Sequence, residues 1–560
     1  MNFIRCPFKY LLIIVTFLCL FSLVSCRQVT KPIELKQPNV LFIICDDLND
    51  YQGAFGGHVN AHTPHIDALA KSSTQFANAH TNVPVCSPSR NSLFTGIYPH
   101  HSKDFGWTPH YKNPILKRQK TFVELFKENG YLTLGSGKLL HKDVNKIWDD
   151  WGVDRRLNYG PHAFNGEKMC GHPSVPEAFR QINIVDGSFA PLSDIPTFTD
   201  ANNETIETGW TYGKAPFRYV NDNNRDLMPD EMHAQWATQK IRELEQRQND
   251  QPFFMGIGFV NPHTPLYAPQ KYFDMFPLDE IELPQIQEGD IADCFYKSVY
   301  PDTEMGLHYY KALREAYPDG DEGLRRFLQA YLACVAFVDD QVGVVIDALN
   351  NSKFKDNTIV IFTSDHGWQM GEKDYLYKNS PWEESTRIPL LVRHPQLSRS
   401  GDKVSHPVSL IDLYPSLVDL CHLEGSTERK GEKVDLDGYS LKPFLSNGDD
   451  VTWDGPDGAL TMTGAGINEP IEGIAFCSNP SAKWHIEVKG ELDDTYIMQQ
   501  NYSYRTKDWR YIRYGNGKEE LYHNVIDPYE WHNLALDDNY KAQLLEFRAK
   551  LLEMINTDIK

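Results

Sequence analysis

At 560 residues, 41% of them hydrophobic and 12% aromatic, the chain is long enough for one large folded domain and a smaller one, since single cores seldom grow past about 250 to 300 residues. Its 55 Lys and Arg against 76 Asp and Glu give a formal net charge of -21, which excludes a nucleic-acid partner held by a basic surface. A pocket of a few cationic groups still suits an anionic ligand, because salt screens distant acidic surface within about 10 Å.

Residues 1–25 read as an export signal. Arg5 and Lys9 flank the short apolar run Leu11 to Leu23, which leads into Leu23-Val24-Ser25-Cys26, a lipobox-like ending. Cys26 is expected to be the lipidated first residue of the mature protein, followed by a linker over 26–37. The chain is then anchored at a bacterial membrane, facing the periplasm or the cell surface. No run of 18 or more apolar residues follows residue 26, so no internal membrane span is expected. With Cys6, Cys19 and Cys26 set aside, Cys45, Cys86, Cys170, Cys294, Cys334, Cys421 and Cys477 remain, scattered and without a CxxC pair. An odd number in an exported chain points to at least one cysteine kept for chemistry.

Uninterrupted apolar runs at Val40 to Cys45, Phe253 to Val260, Ile359 to Phe362 and Pro389 to Val392 read as buried parallel strands, and helical segments between them imply a doubly wound α/β sheet. Thr121 and Glu124 form a capping box ahead of Phe122, Leu125 and Phe126, predicting a helix that ends at Gly130. A longer helix is predicted from about Gly323 to Asn350, with Phe327, Tyr331, Cys334 and Val338 on one face. Residues 142–228, rich in Asn, Asp, Gly and Pro, carry little periodicity and read as long loops around a site. A polar stretch from Ser446 to Gly458 separates a main domain, 38–454, from a smaller α+β domain, 455–560. An amphipathic helix using Leu544, Leu545, Phe547, Leu551 and Leu552 closes the chain.

The apolar runs end in polar groups. Val40 to Cys45 ends in Asp46-Asp47, Ile359 to Phe362 leads to Asp365-His366, Phe253 to Val260 leads to His263, and the run from Tyr131 leads through Gly135-Ser136-Gly137 to Lys138 and His141. Strand-end Asp residues often cap helices, and a lone loop His or Lys is usually solvated. Three carboxylates and three histidines at one end of one sheet are not explained that way, because open parallel sheets bind ligands beyond the carboxyl ends of their strands. Carboxylate oxygens gathered there suit a hard divalent cation, Ca2+ or Mg2+. In Cys86-Ser87-Pro88-Ser89-Arg90, Pro88 suits the first turn of a helix, which puts residue 86 at a helix N-terminus, a position that attracts anions.

The run CSPSRNSLFTG resembles the motif of the type I, formylglycine-dependent sulfatase family, in which a dedicated enzyme oxidises Cys to formylglycine. Its setting between NVLFIICDDL and TSDHG resembles the family pattern from Pro38 to about Ala535, including RTKDWRYIRY and ELYHNVIDPYEWHNLA. The resemblance implies an alkaline-phosphatase-like sheet with a smaller C-terminal α+β subdomain. It implies one Ca2+ held by Asp46, Asp47, residue 86, Asp365 and His366, and catalytic or sulfate-binding roles for Arg90, Lys138, His141, His263 and Lys378. Cys86 would be converted by a formylglycine-generating or anaerobic sulfatase-maturating enzyme. His366 stands where many members have Asn, as in iduronate-2-sulfatase-like members, and Phe94 stands where Leu is commoner.

In the implied chemistry one hydroxyl of hydrated formylglycine attacks sulfur, and His263 protonates the departing sugar oxygen. Lys138, Lys378, Arg90 and the ion hold the charge moving onto the sulfuryl oxygens, and the second hydroxyl, deprotonated with help from His141, expels sulfate. Two other readings compete. A phosphatase or phosphodiesterase of the same superfamily uses Ser or Thr where Cys86 stands, and a non-catalytic glycan-binding lipoprotein requires lost ligands, of which none is missing. The start NVLFIICDDL, the GKxxH spacing, NPHTP and TSDHGW look most like iduronate-2-sulfatases and bacterial polysaccharide sulfatases. The expected substrate is therefore a sulfated uronic-acid-containing carbohydrate such as ulvan or a glycosaminoglycan. His100, His101, Asp104 and Trp107, just after the motif, are candidates for sugar contact, Trp107 offering an apolar face.

Overall fold

The computed structural model describes residues 37–560 apart from 105, 143–144, 200–204, 207–208, 214, 399–400, 430–434, 465–494 and 557–560. The expected signal, Cys26, most of the linker and Cys477 lie outside the described residues. The main sheet has eight strands: β1 (Asn39–Asp46), β2 (Thr74–Phe76), β3 (Leu132–Gly137), β4 (Asp150–Trp151), β5 (Phe253–Pro262), β6 (Thr358–Ser364), β7 (Leu390–Arg393) and β8 (Lys403–Val404). Their order across the sheet is β8-β2-β7-β6-β1-β5-β3-β4.

The all-apolar runs become strands buried along their length, β1 and β6 at every position. Strand β1 pairs in parallel with β5 and β6, and β5 with β3. Strand β7 departs from expectation: it is antiparallel to both β6 and β2. An apolar run marks a strand buried on both faces but not its direction, which the connection decides. Between β6 and β7 the chain forms a loop carrying Asp365, His366 and Lys378 and only a four-residue helix, Glu383–Thr386, too little for the packed crossover a parallel return requires.

Alternate residues of β1 face different cores. Val40, Phe42 and Ile44 pack with α1 (Cys86–Thr95), α2 (Phe122–Glu128) and α5 (Leu413–Leu420), whereas Leu41, Ile43 and Cys45 pack with α3 (Pro229–Glu245) and α4 (Gly320–Asn350). This is the doubly wound arrangement. Phe254 shows how the first core is filled, its ring centroid 4.6 Å from Phe126 and 5.6 Å from Phe122; burying one such side chain contributes about 1.5–3 kcal/mol. The capping box of α2 is formed, with Glu124 accepting from the Thr121 amide at 2.9 Å and Thr121 Oγ1 from the Glu124 amide at 3.4 Å. Helix α4 starts at Gly320, where the Asp319 side chain caps the Asp321 amide, three residues before the expected start.

The segment 142–228 is not only loop. It holds a four-stranded sheet of Ala215–Phe217, Gly209–Tyr212, His162–Phe164 and Met169–Cys170, strands too short for alternation to register in the sequence. After it, β9 (Gly458–Thr463), β10 (Asn501–Thr506), β11 (Trp509–Arg513) and β12 (Glu519–His523) form an antiparallel meander. Phe547, Leu551 and Ile555 of α6 (Lys541–Asn556) are buried in the same core, while Leu545, expected on that face, is 49% exposed. Met462 N donates to the Asn82 carbonyl at 2.9 Å, tying this sheet to the segment that leads into α1. Among the described residues no helix is long and apolar enough to cross a membrane, and the six described cysteines are unpaired thiols.

Candidate active site

Register brings the ends of four strands level: Cys45 pairs with Ser364, Asp46 with Pro262, and Gly137 with Gly258. Asp46 and Asp47, Asp365 and His366, His263 and Lys138 therefore emerge together. Asp47 has φ 62°, a left-handed conformation that costs energy outside glycine and persists only where the surroundings hold it. Here its amide donates to Asp365 Oδ1 at 3.2 Å and its carbonyl accepts from Tyr331 Oη at 2.7 Å. At Gly137 (φ 85°) a Cβ would lie 2.0 Å from the Gly258 carbonyl oxygen, so only glycine lets the chain turn there and deliver Lys138.

Cys86 is the first residue of α1, after an extended Val85. Its Sγ lies 3.3 Å from His366 Nε2, 3.4 Å from Lys378 Nζ and 3.9 Å from Asp47 Oδ1. One turn on, the buried Arg90 braces two carboxylates, donating from Nη2 to Asp46 at 3.0 Å and from Nε to Asp365 at 2.8 Å, while Nη1 donates to the Lys138 and Leu139 carbonyls. Lys378 donates to both Asp47 oxygens at 2.8 and 2.9 Å, and Lys138 to Asp46. Ser89 and Thr81 hydroxyls both donate to the Asp365 carbonyl, at 2.7 and 2.6 Å.

The two histidines are held by their Nδ1 atoms. His366 Nδ1 lies 3.0 Å from the Gly367 carbonyl and His263 Nδ1 lies 2.5 Å from the Thr264 carbonyl. Each Nδ1–H is thus committed, which leaves each Nε2 as a lone pair aimed at the cluster. His263 Nε2 is 3.8 Å from Asp47 Oδ2 and 3.9 Å from Asp46 Oδ2.

Donor atoms of Asp46, Cys86, Asp365 and His366 all lie within 4.8 Å of one another, and all four residues are buried. Burial, reinforced by the neighbouring carboxylates, pushes Asp47 up to about 8 and Asp365 up to about 7. Burial works the same way on Asp46, but Lys138, His263 and Arg90 hold it well below the usual carboxylate range. Crowded carboxylates sharing a focus with an imidazole lone pair fit a divalent cation, whose charge restores the ionised form of each. Burial, followed by the Asp46 charge, pushes the Cys86 thiol up.

The structure gathers Asp46, Asp47, Cys86, Arg90, Lys138, His263, Asp365, His366 and Lys378 into one contact network. His141 meets Trp107 edge to face at 4.5 Å. His101 instead pairs with Asp437 at 2.8 Å, and the buried Asp104 accepts from Asn91 Nδ2 at 2.7 Å. His100 is buried against Tyr98 and Tyr502. Tyr159 went unnoticed in the sequence: its ring lies 5.1 Å from Lys138 Nζ and 5.4 Å from the His263 ring. No motif marks it, and only the fold brings it there. Thr81 is unmarked for the same reason, and Tyr331, on the predicted helix face, carries no sign of its bond to Asp47.

A family model described as Sulfatase matches residues 38–423. A sulfatase of Formosa agariphila is 30% identical over 94% of this chain and 90% of its own, and an ulvan-active sulfatase of the same organism is 26% identical over 95% and 84%. Iduronate 2-sulfatase of Mus musculus is 28% identical over 91% of this chain and 93% of its own. Among solved structures, the phosphonate monoester hydrolase of Agrobacterium radiobacter superposes with a TM-score of 0.63 at 21% identity, covering 92% of this chain and 95% of that one, a likeness of fold. With the strand-end donor set and CSPSR at the head of α1, this chain belongs to the sulfatase family and is a sulfuric ester hydrolase of alkaline-phosphatase-like fold.

Proposed function

We propose that the enzyme removes sulfate from a uronic-acid-containing polysaccharide or oligosaccharide, of ulvan or glycosaminoglycan type, with Cys86 matured to formylglycine beside one calcium ion. The observation that carries this reading is the position of the Cys86 side chain, first in its helix and within 3.3–3.9 Å of His366, Lys378 and Asp47. A thiol among carboxylates is a poor nucleophile and a soft donor. An oxygen-bearing side chain at the same place completes a hard set with Asp46, Asp47, Asp365 and His366, which suits calcium. When present, the ion supplies Lewis-acid charge and the hydrated formyl group supplies the nucleophilic hydroxyl.

The chain's own residues do the rest. Asp46, Asp47 and Asp365 are matched by Arg90, Lys138 and Lys378, so these charges cancel. A divalent ion then leaves two positive charges, and the imidazolium of His263 a third, to receive an anionic ester and an ionised nucleophile. Lys138 and Lys378 stand where charge gathers on the sulfuryl oxygens. Once Nε2 has taken up a proton, His263 as imidazolium gives it to the departing sugar oxygen. Burial and the Lys378 and Lys138 ammoniums lower the His263 pKa, and an anionic ester beside it acts in the opposite direction. The family resemblance, rather than a contact within the network, assigns His141 the proton whose loss expels sulfate.

The uronic-acid substrate class is supported by the names of the ulvan-active and iduronate relatives and by His366 in TSDHGW. The CSPSR run supports maturation by a formylglycine-generating or anaerobic sulfatase-maturating enzyme, and Leu23-Val24-Ser25-Cys26 supports export and lipid anchoring at Cys26. A panel of sulfated ulvan and glycosaminoglycan oligosaccharides, scored by which sulfate disappears, tests the reading. Release from at least one uronic-acid oligosaccharide is expected. Activity confined to phosphate esters or to sulfated sugars without uronic acid would overturn it.

A further inference from the structure

The geometry points to Tyr159 as a positioning residue, and we propose that it sets the aim of both Lys138 and His263. This rests on the roles given to those two residues above, not on the identity of the sugar. Tyr159 lies on the segment between the turn Arg155–Leu157 and the strand His162–Phe164, part of the stretch that no motif marks. Lys138 Nζ stands 5.1 Å from its ring centroid, and the His263 ring meets it nearly perpendicular, at 5.4 Å and 73°. One side chain thus touches the group that holds sulfuryl charge and the group that protonates the leaving oxygen.

Each contact answers a need the rest of the site leaves open. The Lys138 ammonium is almost fully buried and donates to Asp46, itself in the metal donor set. With no second attraction it settles on that carboxylate and is withdrawn from the ester. The Tyr159 ring and its hydroxyl together supply such an attraction. For His263, the Nδ1 contact with the Thr264 carbonyl sets the tautomer, but the tilt of the imidazole, and with it the direction of Nε2, needs a second contact, which the nearly perpendicular Tyr159 ring provides. The His263 contact is made by the ring, whereas Lys138 also meets the hydroxyl, so phenylalanine should keep the aim of His263 and weaken that of Lys138.

The test uses matured enzyme, Tyr159→Phe and Tyr159→Leu variants, and a series of aryl sulfates from 4-nitrophenyl sulfate to esters of more basic phenols. Such esters report on the site whatever sugar the enzyme prefers, so failure here is separate from failure of the uronic-acid assignment. Tyr159→Phe, which keeps the ring beside His263 but loses the hydroxyl beside Lys138, should lose at most about tenfold in kcat/KM, evenly across the series. Tyr159→Leu should lose about tenfold on 4-nitrophenyl sulfate through Lys138. It should lose about 10- to 100-fold more on esters of the most basic phenols, where the proton from His263 counts, with melting temperature unchanged within two degrees or so. A Leu variant equal to wild type, a Phe variant as impaired as Leu on esters of the most basic phenols, or a Leu variant with the same loss across the whole series would each overturn the assignment.

Discussion

Two buried ionic clusters in this molecule look alike in composition and differ in arrangement. Where the C-terminal sheet meets the main one, Arg510 is fully buried and saturated: it donates to Glu530 at 2.5 Å, to the Pro381 carbonyl at 3.0 Å, to Ser503 at 2.6 Å and to Glu383, which Arg505 also reaches at 3.0 Å. Every charge there faces an opposite charge. At the strand ends, Asp46, Asp47 and Asp365 are also matched one for one by cations, yet Asp46 and Asp365 gather with Cys86 and His366 in one donor group and Asp47 joins Asp46 and Cys86 in a second with His263, each within 4.8 Å. Equal charge balance thus serves two ends. The first cluster closes a seam, and the second keeps acceptors pointing inward, where a cation and an anion can enter.

The two clusters should respond oppositely to substitution. Asp365→Asn removes a metal donor and a partner of Arg90, and kcat/KM for a sulfate ester should fall at least about 10²- to 10³-fold, while the protein stays folded by circular dichroism. Arg510→Met strands Glu383 and Glu530 in a buried seam and should cost about 3–5 kcal/mol in denaturant unfolding, with the surviving folded enzyme keeping its KM. If Asp365→Asn unfolds the protein and Arg510→Met does not, the assignment of one cluster to function and the other to stability fails.

A smaller effect sharpens the same contrast. Calcium at about 100 times its dissociation constant should stabilise the enzyme by about 2.7 kcal/mol, seen as a rise in melting temperature that Asp365→Asn abolishes and Arg510→Met retains. A rise of equal size in both variants would mean that the ion binds elsewhere.

The smallest effect concerns Asp104. Burial pushes its carboxyl up to about 7, against about 3.9 in an unfolded chain, so the folded state binds the proton more tightly. That contribution to stability is complete below about pH 4 and is lost as pH rises through about 7. Thermal melts between these limits should show a shallower decline in Asp104→Asn than in wild type, by a few degrees at most, with KM for sulfate esters unchanged. A raised KM with an unaltered pH profile would return Asp104 to the substrate site.

Much of this was legible in the residues. Wholly apolar runs give away β1, β5 and β6, and because such strands end together, they alone put Asp46, Asp47, His263, Asp365 and His366 at one edge. Thr121 and Glu124 announced α2 through purely local hydrogen bonds. What stayed hidden depends on long-range geometry. The direction of β7 is set by a connection without a crossover helix, the two- to four-residue strands within 142–228 are too brief to alternate, and Tyr159 comes from a segment whose only signal is where it folds. Arg90 is legible as part of a motif, but its brace across Asp46 and Asp365 joins residues more than 270 positions apart.

The central claim, that residue 86 acts as formylglycine, is tested most directly by peptide mass spectrometry of active enzyme, paired with its turnover of a sulfate ester. The predicted result is a residue 86 about 18 Da lighter than cysteine, the change from CH2-SH to CHO, with turnover proportional to the converted fraction and absent in Cys86→Ser made in a host that does not oxidise serine. Full turnover from a preparation whose residue 86 is entirely unmodified cysteine would contradict it.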